Sequence, residues 1–131
     1  IKHLEDMKHY LKVVPAVNQV ELHVFLQQPE LLEYCKQNGI VVEAYSPIAH
    51  GHGLDNKVLK EIADKHGKST AQIMVRWCIE VGTVPLPKST NPERIAENID
   101  VFDFHLDDSD MAKIKSLESD LRTCWDPTNT P

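Results

Sequence analysis

Ile40-Val41-Val42-Glu43-Ala44-Tyr45-Ser46 is the run on which the fold turns. Its start is almost unbroken apolar and β-branched, the pattern of a parallel strand covered on both faces rather than a half-wetted antiparallel one. Just before it, Gly39 can take the left-handed stop of a helix that opens at Pro29 and carries Leu31, Leu32 and Cys35 on one face. Further upstream, Val14-Pro15-Ala16-Val17-Asn18-Gln19-Val20 is short and β-branched, and proline is tolerated only at a strand's start, so a strand is predicted from about Ala16. Leu4, Met7 and Leu11 recur at helical spacing before it and predict an amphipathic helix over residues 1–12, ending near Val13.

Downstream of Tyr45 the same alternation continues. After the His50-Gly51-His52-Gly53 loop, Leu59, Ile62 and Ala63 form a helical stripe that stops at Gly67. Ser69 and Gln72 have the spacing of a capping box, opening a helix with Met74, Trp77, Cys78 and Val81 on its face and Gly82 at its end. Thr83-Val84-Pro85-Leu86-Pro87 is a third, proline-bracketed strand. Asn91 then caps a helix with Pro92 in its first position, and Ile95, Ala96 and Ile99 are predicted as its buried side. A last helix starts at the cap Asp107, with Asp110 in its first turn, Leu106 placed to staple onto Met111, and Ile114, Leu117 and Leu121 continuing its face. Residues 122–131 are polar and proline-rich, a tail whose one large anchor is Trp125.

Strands alternating with helices mean right-handed parallel units with the helices outside the sheet, an α/β fold of barrel type. Three strands are too few to close a barrel, and as an open sheet they leave two long edges unpaired. No repeat or interdomain linker divides the 131 residues, so residues 1–121 form one body and 122–131 its tail. The 14 Lys and Arg against 20 Asp and Glu give a formal charge of -6, which disfavours a nucleic-acid partner. No apolar run reaches a membrane span, and three scattered cysteines (Cys35, Cys78, Cys124) support neither a disulfide framework nor a zinc knuckle. A reducing cytoplasm is therefore the expected location. The chain opens on Ile1 in mid-pattern, which suggests sequence upstream.

In parallel β/α proteins the chemistry gathers at the C-terminal ends of the strands. Here those ends deliver Asn18, Gln19 and Glu21, then Tyr45 and Ser46, then Lys88 and Ser89, while Arg94 and Asn98 stand one turn apart on the helix opening at Pro92. An amide, an aromatic ring and a cationic clamp beside a helix N-terminus suit a phosphorylated aromatic cofactor. No general base stands out among them.

Asn18-Gln19-Val20-Glu21-Leu22-His23, Tyr45-Ser46-Pro47, Pro87-Lys88-Ser89 and Asn91-Pro92-Glu93-Arg94-Ile95-Ala96-Glu97-Asn98 resemble the successive strand-end motifs of the aldo-keto reductases, in that family's order and at its spacings. The resemblance runs through nearly the whole chain. It implies a (β/α)8 TIM barrel of which this chain is the C-terminal half, with NADP(H) lying extended across the mouth and a small-molecule carbonyl, an aldehyde or ketone, reduced to the alcohol. It places Gln19 at the nicotinamide carboxamide, Tyr45 under the nicotinamide ring, Ser46 beside the pyrophosphate, Lys88, Ser89 and Arg94 around the 2′-phosphate, and Glu97 and Asn98 near the adenine. The family's catalytic Asp, Tyr, Lys and His belong to the first half of the barrel, so no catalytic residue is expected here and the N-terminal half is the implied partner. Val24 and Ile48-Ala49-His50 depart from the family's usual residues, in loops rather than at the anchors.

The same residues have plainer readings. Tyr45 also reads as an aromatic lid on the core, Gln19 as an amide that satisfies buried backbone, and Lys88 and Arg94 as solvated charges. Glu43, a charge in an apolar strand, reads as the partner of a charge in the other half. His23, His50, His52 and Glu21 have ligand chemistry but no spacing signature, so no metal is expected. Trp125 is either a pocket wall for substrate or an anchor on the barrel. A non-catalytic cofactor-binding interaction or regulatory subunit is the functional alternative to a reductase, separated from it by whether the catalytic residues are present upstream.

Overall fold

A computed structural model describes residues 1–130 of the chain. Three parallel strands, β1 (Val17–Glu21), β2 (Val41–Tyr45) and β3 (Val84–Leu86), lie in the order of the sequence. Among the described residues six α-helices precede, connect or follow them: α1 (Lys2–Met7), α2 (Pro29–Gln37), α3 (Lys57–His66), α4 (Thr70–Glu80), α5 (Pro92–Ile99) and α6 (Asp108–Lys115). Val17 pairs with Val41 and Glu21 with Tyr45 across β1 and β2, and Tyr45 with Leu86 across β2 and β3, so the three strands end at one level. Their polar C-terminal residues are thereby brought to one rim.

The helices end where the local chemistry demands. Ser69 accepts from the Gln72 backbone N–H while the Gln72 side chain accepts from that of Ser69, and Asp107 and Asp110 repeat the arrangement at α6. Asn91 accepts from the N–H groups of Glu93 and Arg94 at α5. Gly67 closes α3 in the left-handed region, at φ 63°.

The core lies between the sheet's helix-facing side and α3, α4 and α6. Leu22, Leu59, Ile73, Met74, Trp77 and Ile114 are buried there, each such side chain contributing about 1.5–3 kcal/mol on leaving water. A smaller cluster of Cys35, Ile40 and Val42 sits under α2 and takes Leu4 of α1.

Five expectations are corrected. β2 is covered on one face: Val42 and Ala44 are buried, but Val41 is 47% exposed, as are Val17 and Val84 on either side at 45% and 46%. The interior of a barrel wall is filled by side chains from the other strands, and three strands cannot supply them. The apolar stripe of α5 is also open, Ile95 at 52% and Ile99 at 67%, with Phe102 beyond it at 65%; periodicity identifies a stripe but not the surface that covers it. α1 is shorter than its pattern, since after Met7 the chain tightens into i to i+3 turns through Tyr10. α6 stops at Lys115, leaving Leu117 and Leu121 outside it, and Trp125 is no anchor, being 67% exposed.

Candidate functional site

The β2–α3 connection starts at Ser46 with φ 51°, and Ala49 and His50 follow at 47° and 53°. Three non-glycine residues in the left-handed region within five positions make a strained loop, the kind of cost that surrounding structure holds in place at functional sites. A single 3-10 turn, Ala49–Gly51, carries it back across the strand ends. Gly53 then passes so close to the Phe25 ring that a Cβ there would lie 2.3 Å from Cζ. Only glycine fits, and the approach fixes where the loop leaves the rim.

Between this loop, the end of β3 and the first turns of α4 and α5 lies a cleft of about 490 Å³. That size suits part of a nucleotide-sized ligand. Ser46, Lys88, Ser89, Arg94, Glu97 and Asn98 all line it, so six of the eight residues singled out as cofactor-binding face one space. Gln19 and Tyr45 do not line it and stand beside it on the rim.

Charge in the cleft is arranged by what is left unpaired. Lys8, Lys65, Lys68, Lys113, Arg76 and Arg122 all reach carboxylates, whereas Lys88 and Arg94, like six other lysines, form no ion pair among the described residues, and these two are the cations that line the cleft. The helix end itself is less available than its position suggests. Asn91 Oδ1 accepts from Glu93 N at 2.8 Å and Arg94 N at 3.3 Å, so part of the donor set at the start of α5 is satisfied internally. Ser89 is also partly engaged, its Oγ accepting from Asn91 N at 3.1 Å. Anion recognition in this cleft therefore rests first on the two side-chain cations.

On the rim, Gln19 and Glu43 are register partners, and Gln19 Nε2 donates to Glu43 Oε2 at 2.8 Å. Glu43 thus accepts a hydrogen bond within this chain, from an uncharged amide rather than from a charge. The same bond turns the Gln19 amide so that its oxygen remains an open acceptor. Tyr45 is half-buried, its hydroxyl makes no hydrogen bond among the described residues, and burial pushes its pKa up, which keeps it a neutral phenol. Asn18 is not at the site: it turns outward, its amide 3.8 Å from Cys35 Sγ under α2.

Glu21 is the residue whose role the sequence did not disclose. It is 2% exposed at the end of β1, and its carboxylate accepts from Thr123 N at 2.7 Å, Thr123 Oγ1 at 2.5 Å, Cys124 N at 3.3 Å and His23 Nε2 at 3.2 Å. Burial alone would raise its pKa, but these donors together outweigh it and hold the group below the usual carboxylate range. His23, wholly buried, accepts from Phe25 N at Nδ1, so Nε2 carries the proton it gives to Glu21. Burial drives the His23 pKa down against the pull of Glu21, and the ring stays neutral. A charge flanked by Val20 and Leu22 at a strand end was the one signal that a set of donors had to converge there. Cys124 continues the tail over the rim, its Sγ 3.7 Å from Ser46 Oγ and 3.4 Å from His50 Nε2.

Known proteins share this fold. The model of the Aldo/keto reductase family matches residues 1–119. Aldose reductase B of Dictyostelium discoideum is 49% identical over 126 residues, covering 95% of this chain and 40% of that protein. MGS-M4, an aldo-keto reductase enzyme from a Medee basin deep-sea metagenome library, superposes with a TM-score of 0.93 at 43% identity, covering all of this chain and 49% of the other. A variant of Gox0644 solved in complex with NADPH gives 0.92 at 40% identity, covering 99% and 48%. The chain thus spans less than half the length of the curated relatives it matches. Three parallel strands ending in a cationic cleft, a fold shared with these structures and a family match over residues 1–119 together establish that the chain belongs to the aldo/keto reductase family.

Proposed function

We propose that this chain is the cofactor-holding portion of an NADP(H)-dependent oxidoreductase that reduces aldehydes or ketones to alcohols. The observation that carries the reading is the pair of unpaired cations, Lys88 and Arg94, facing the cleft that Ser46, Glu97 and Asn98 also line. The residues fit the group: a dinucleotide with an additional phosphate needs cations not already neutralised, and these two meet that need. The complex of the Gox0644 variant with NADPH supports the same ligand.

In this reading Lys88, Ser89 and Arg94 hold the 2′-phosphate, Ser46 the pyrophosphate, and Glu97 and Asn98 the adenine. Gln19 binds the carboxamide through its open amide oxygen, and Tyr45 offers its ring face to the nicotinamide. The bound cofactor supplies the hydride. What the chain contributes to the chemistry is orientation, since a carbonyl carbon must be held in line with the transferring hydrogen. The carbonyl oxygen takes its proton from the other half of the barrel. Tyr45, with a raised pKa and no basic partner, is poorly suited to that task. Three unpaired cysteines suit a reducing cytoplasm. No helix of the described residues is long and apolar enough to cross a membrane.

The test is made on the full-length protein. Fluorescence titration is expected to show tighter binding of NADPH than NADH, and NADPH is expected to be oxidised when an aldehyde is added. Binding without turnover would favour the non-catalytic subunit, and no binding would overturn the assignment.

A further inference from the structure

Side chains alternate along a strand, so Val41, Glu43 and Tyr45 share one face of β2, and the register partners Val17, Gln19, Val84 and Leu86 share it with them. The valines and Leu86 leave this face apolar and open. A carboxylate is out of place in such a setting unless something there uses it. Glu21, the carboxylate at the rim, has its charge met by donors from Thr123, Cys124 and His23. Glu43, one residue pair deeper, accepts from Gln19 Nε2 at 2.8 Å and forms no ion pair among the described residues. Its charge is therefore unspent.

A carboxylate accepts and cannot donate, so this bond admits one orientation of the Gln19 amide, with its NH2 on Glu43 and its oxygen free. Glu43 is thus next to both groups assigned to the nicotinamide, bonded to Gln19 and two residues from Tyr45 on the same face. Hydride transfer carries the electron pair of a C–H bond from the reduced ring to the carbonyl carbon. The carbonyl oxygen takes its proton from the other half of the barrel, and the ring is left with a positive charge. A fixed carboxylate beside that ring favours its charged form over its neutral one.

We propose that Glu43 is a positioning residue for the nicotinamide: its carboxylate fixes the Gln19 amide with the oxygen free for the carboxamide, and its charge strengthens the hold on NADP+ relative to NADPH. The proposal rests on the reductase reading.

The experiment measures dissociation constants of NADPH, by fluorescence titration, and of NADP+, by calorimetry, on the full-length protein. Glu43→Gln keeps the size of the side chain and removes the charge. Two amides pair in either sense, so the productive orientation of Gln19 is at most about halved, and NADPH is expected to bind within about twofold of the wild type. NADP+ is expected to bind about fivefold more weakly or worse, the scale of one partly screened charge. Glu43→Asp keeps the charge but, one methylene shorter, loses its reach to Gln19. Both cofactors are then expected to weaken together, about twofold or more, with their affinity ratio within about twofold of the wild type. A merely structural role would weaken both cofactors alike in both variants. An unchanged ratio in Glu43→Gln, a ratio shifted as far in Glu43→Asp as in Glu43→Gln, or undiminished affinity for both cofactors in Glu43→Asp would overturn the proposal. A wild-type protein that binds neither cofactor overturns the reductase reading and this proposal with it, whereas binding with an unchanged ratio overturns the role of Glu43 alone.

Discussion

Replacing Arg94 by alanine removes one of the two unpaired cations on the cleft wall and leaves the other, Lys88, in place. At a separation of about 4 Å, a unit charge pair in an effective dielectric of about 20 is worth roughly 4 kcal/mol. Arg94 is exposed, so water and salt take a large share of that, and the figure falls toward the range of a single charge-assisted hydrogen bond, about 1–2 kcal/mol. The NADPH dissociation constant of the full-length protein is therefore expected to rise about 5- to 30-fold. NADH lacks the phosphate, and its dissociation constant is expected to change less than about twofold, since the Arg94 guanidinium has no ion-pair partner among the described residues. Fluorescence titration with both cofactors at two salt concentrations reads the difference directly, and the NADPH effect is expected to shrink at the higher one as exposed charges are screened. Equal losses for the two cofactors would refute the reasoning, because they would show that Arg94 supports the cleft rather than reads the phosphate.

Tyr45→Phe in the full-length protein is expected to leave NADPH affinity nearly unchanged, because the hydroxyl has no partner among the described residues, whereas Tyr45→Leu weakens it by about 1 kcal/mol through the lost ring face; equal damage from both would point to the hydroxyl. Gly53→Ala is expected to cost about 2–3 kcal/mol in a denaturant melt, since its Cβ would lie 2.3 Å from Phe25 Cζ on a backbone at φ 73°, and a neutral result would mean that the Phe25 ring moves freely. Acid is expected to weaken the fold in two stages. His23 has its pKa lowered, by burial first, so its contribution begins to fade as pH falls below 6.5, where the unfolded chain takes up a proton first; Glu21 and Asp110, also lowered, contribute above their unfolded values of 4.5 and 3.8 and lose that contribution as pH falls further. A melting temperature that rises between pH 7 and 5 would contradict this. The 131-residue chain by itself is expected to show helical circular dichroism without a sharp melt and without turnover, given the open strand face at Val17, Val41 and Val84, and a cooperative transition in a monomer would refute that.

Much of the architecture was legible from residue chemistry at short range. The capping pairs Ser69–Gln72 and Asp107–Asp110, the Asn91 cap with Pro92 behind it, and the glycine stop at Gly67 all act within one helical turn, so the signal and the structure it specifies are neighbours in the chain. Strand type followed from the apolar run at Ile40 for the same reason. That the strand-end residues would gather on one side was also readable, because parallel strands bring every strand end to one rim, and six of the eight candidate cofactor residues line one cleft there.

What the sequence by itself determined is therefore the elements, their order, and the list of side chains delivered to the rim. Which partners those side chains meet was decided only by the tertiary structure. Glu43 bonds to Gln19 because the β1–β2 register sets them opposite each other, and nothing local to either residue specifies that pairing. Glu21 meets Thr123 across more than a hundred residues, and Ile95 and Ile99 stay uncovered although their pattern is that of a buried face. Periodicity records that a surface must be covered and a charge must be paired, but the identity of the cover and of the partner depends on how distant segments close on one another in space.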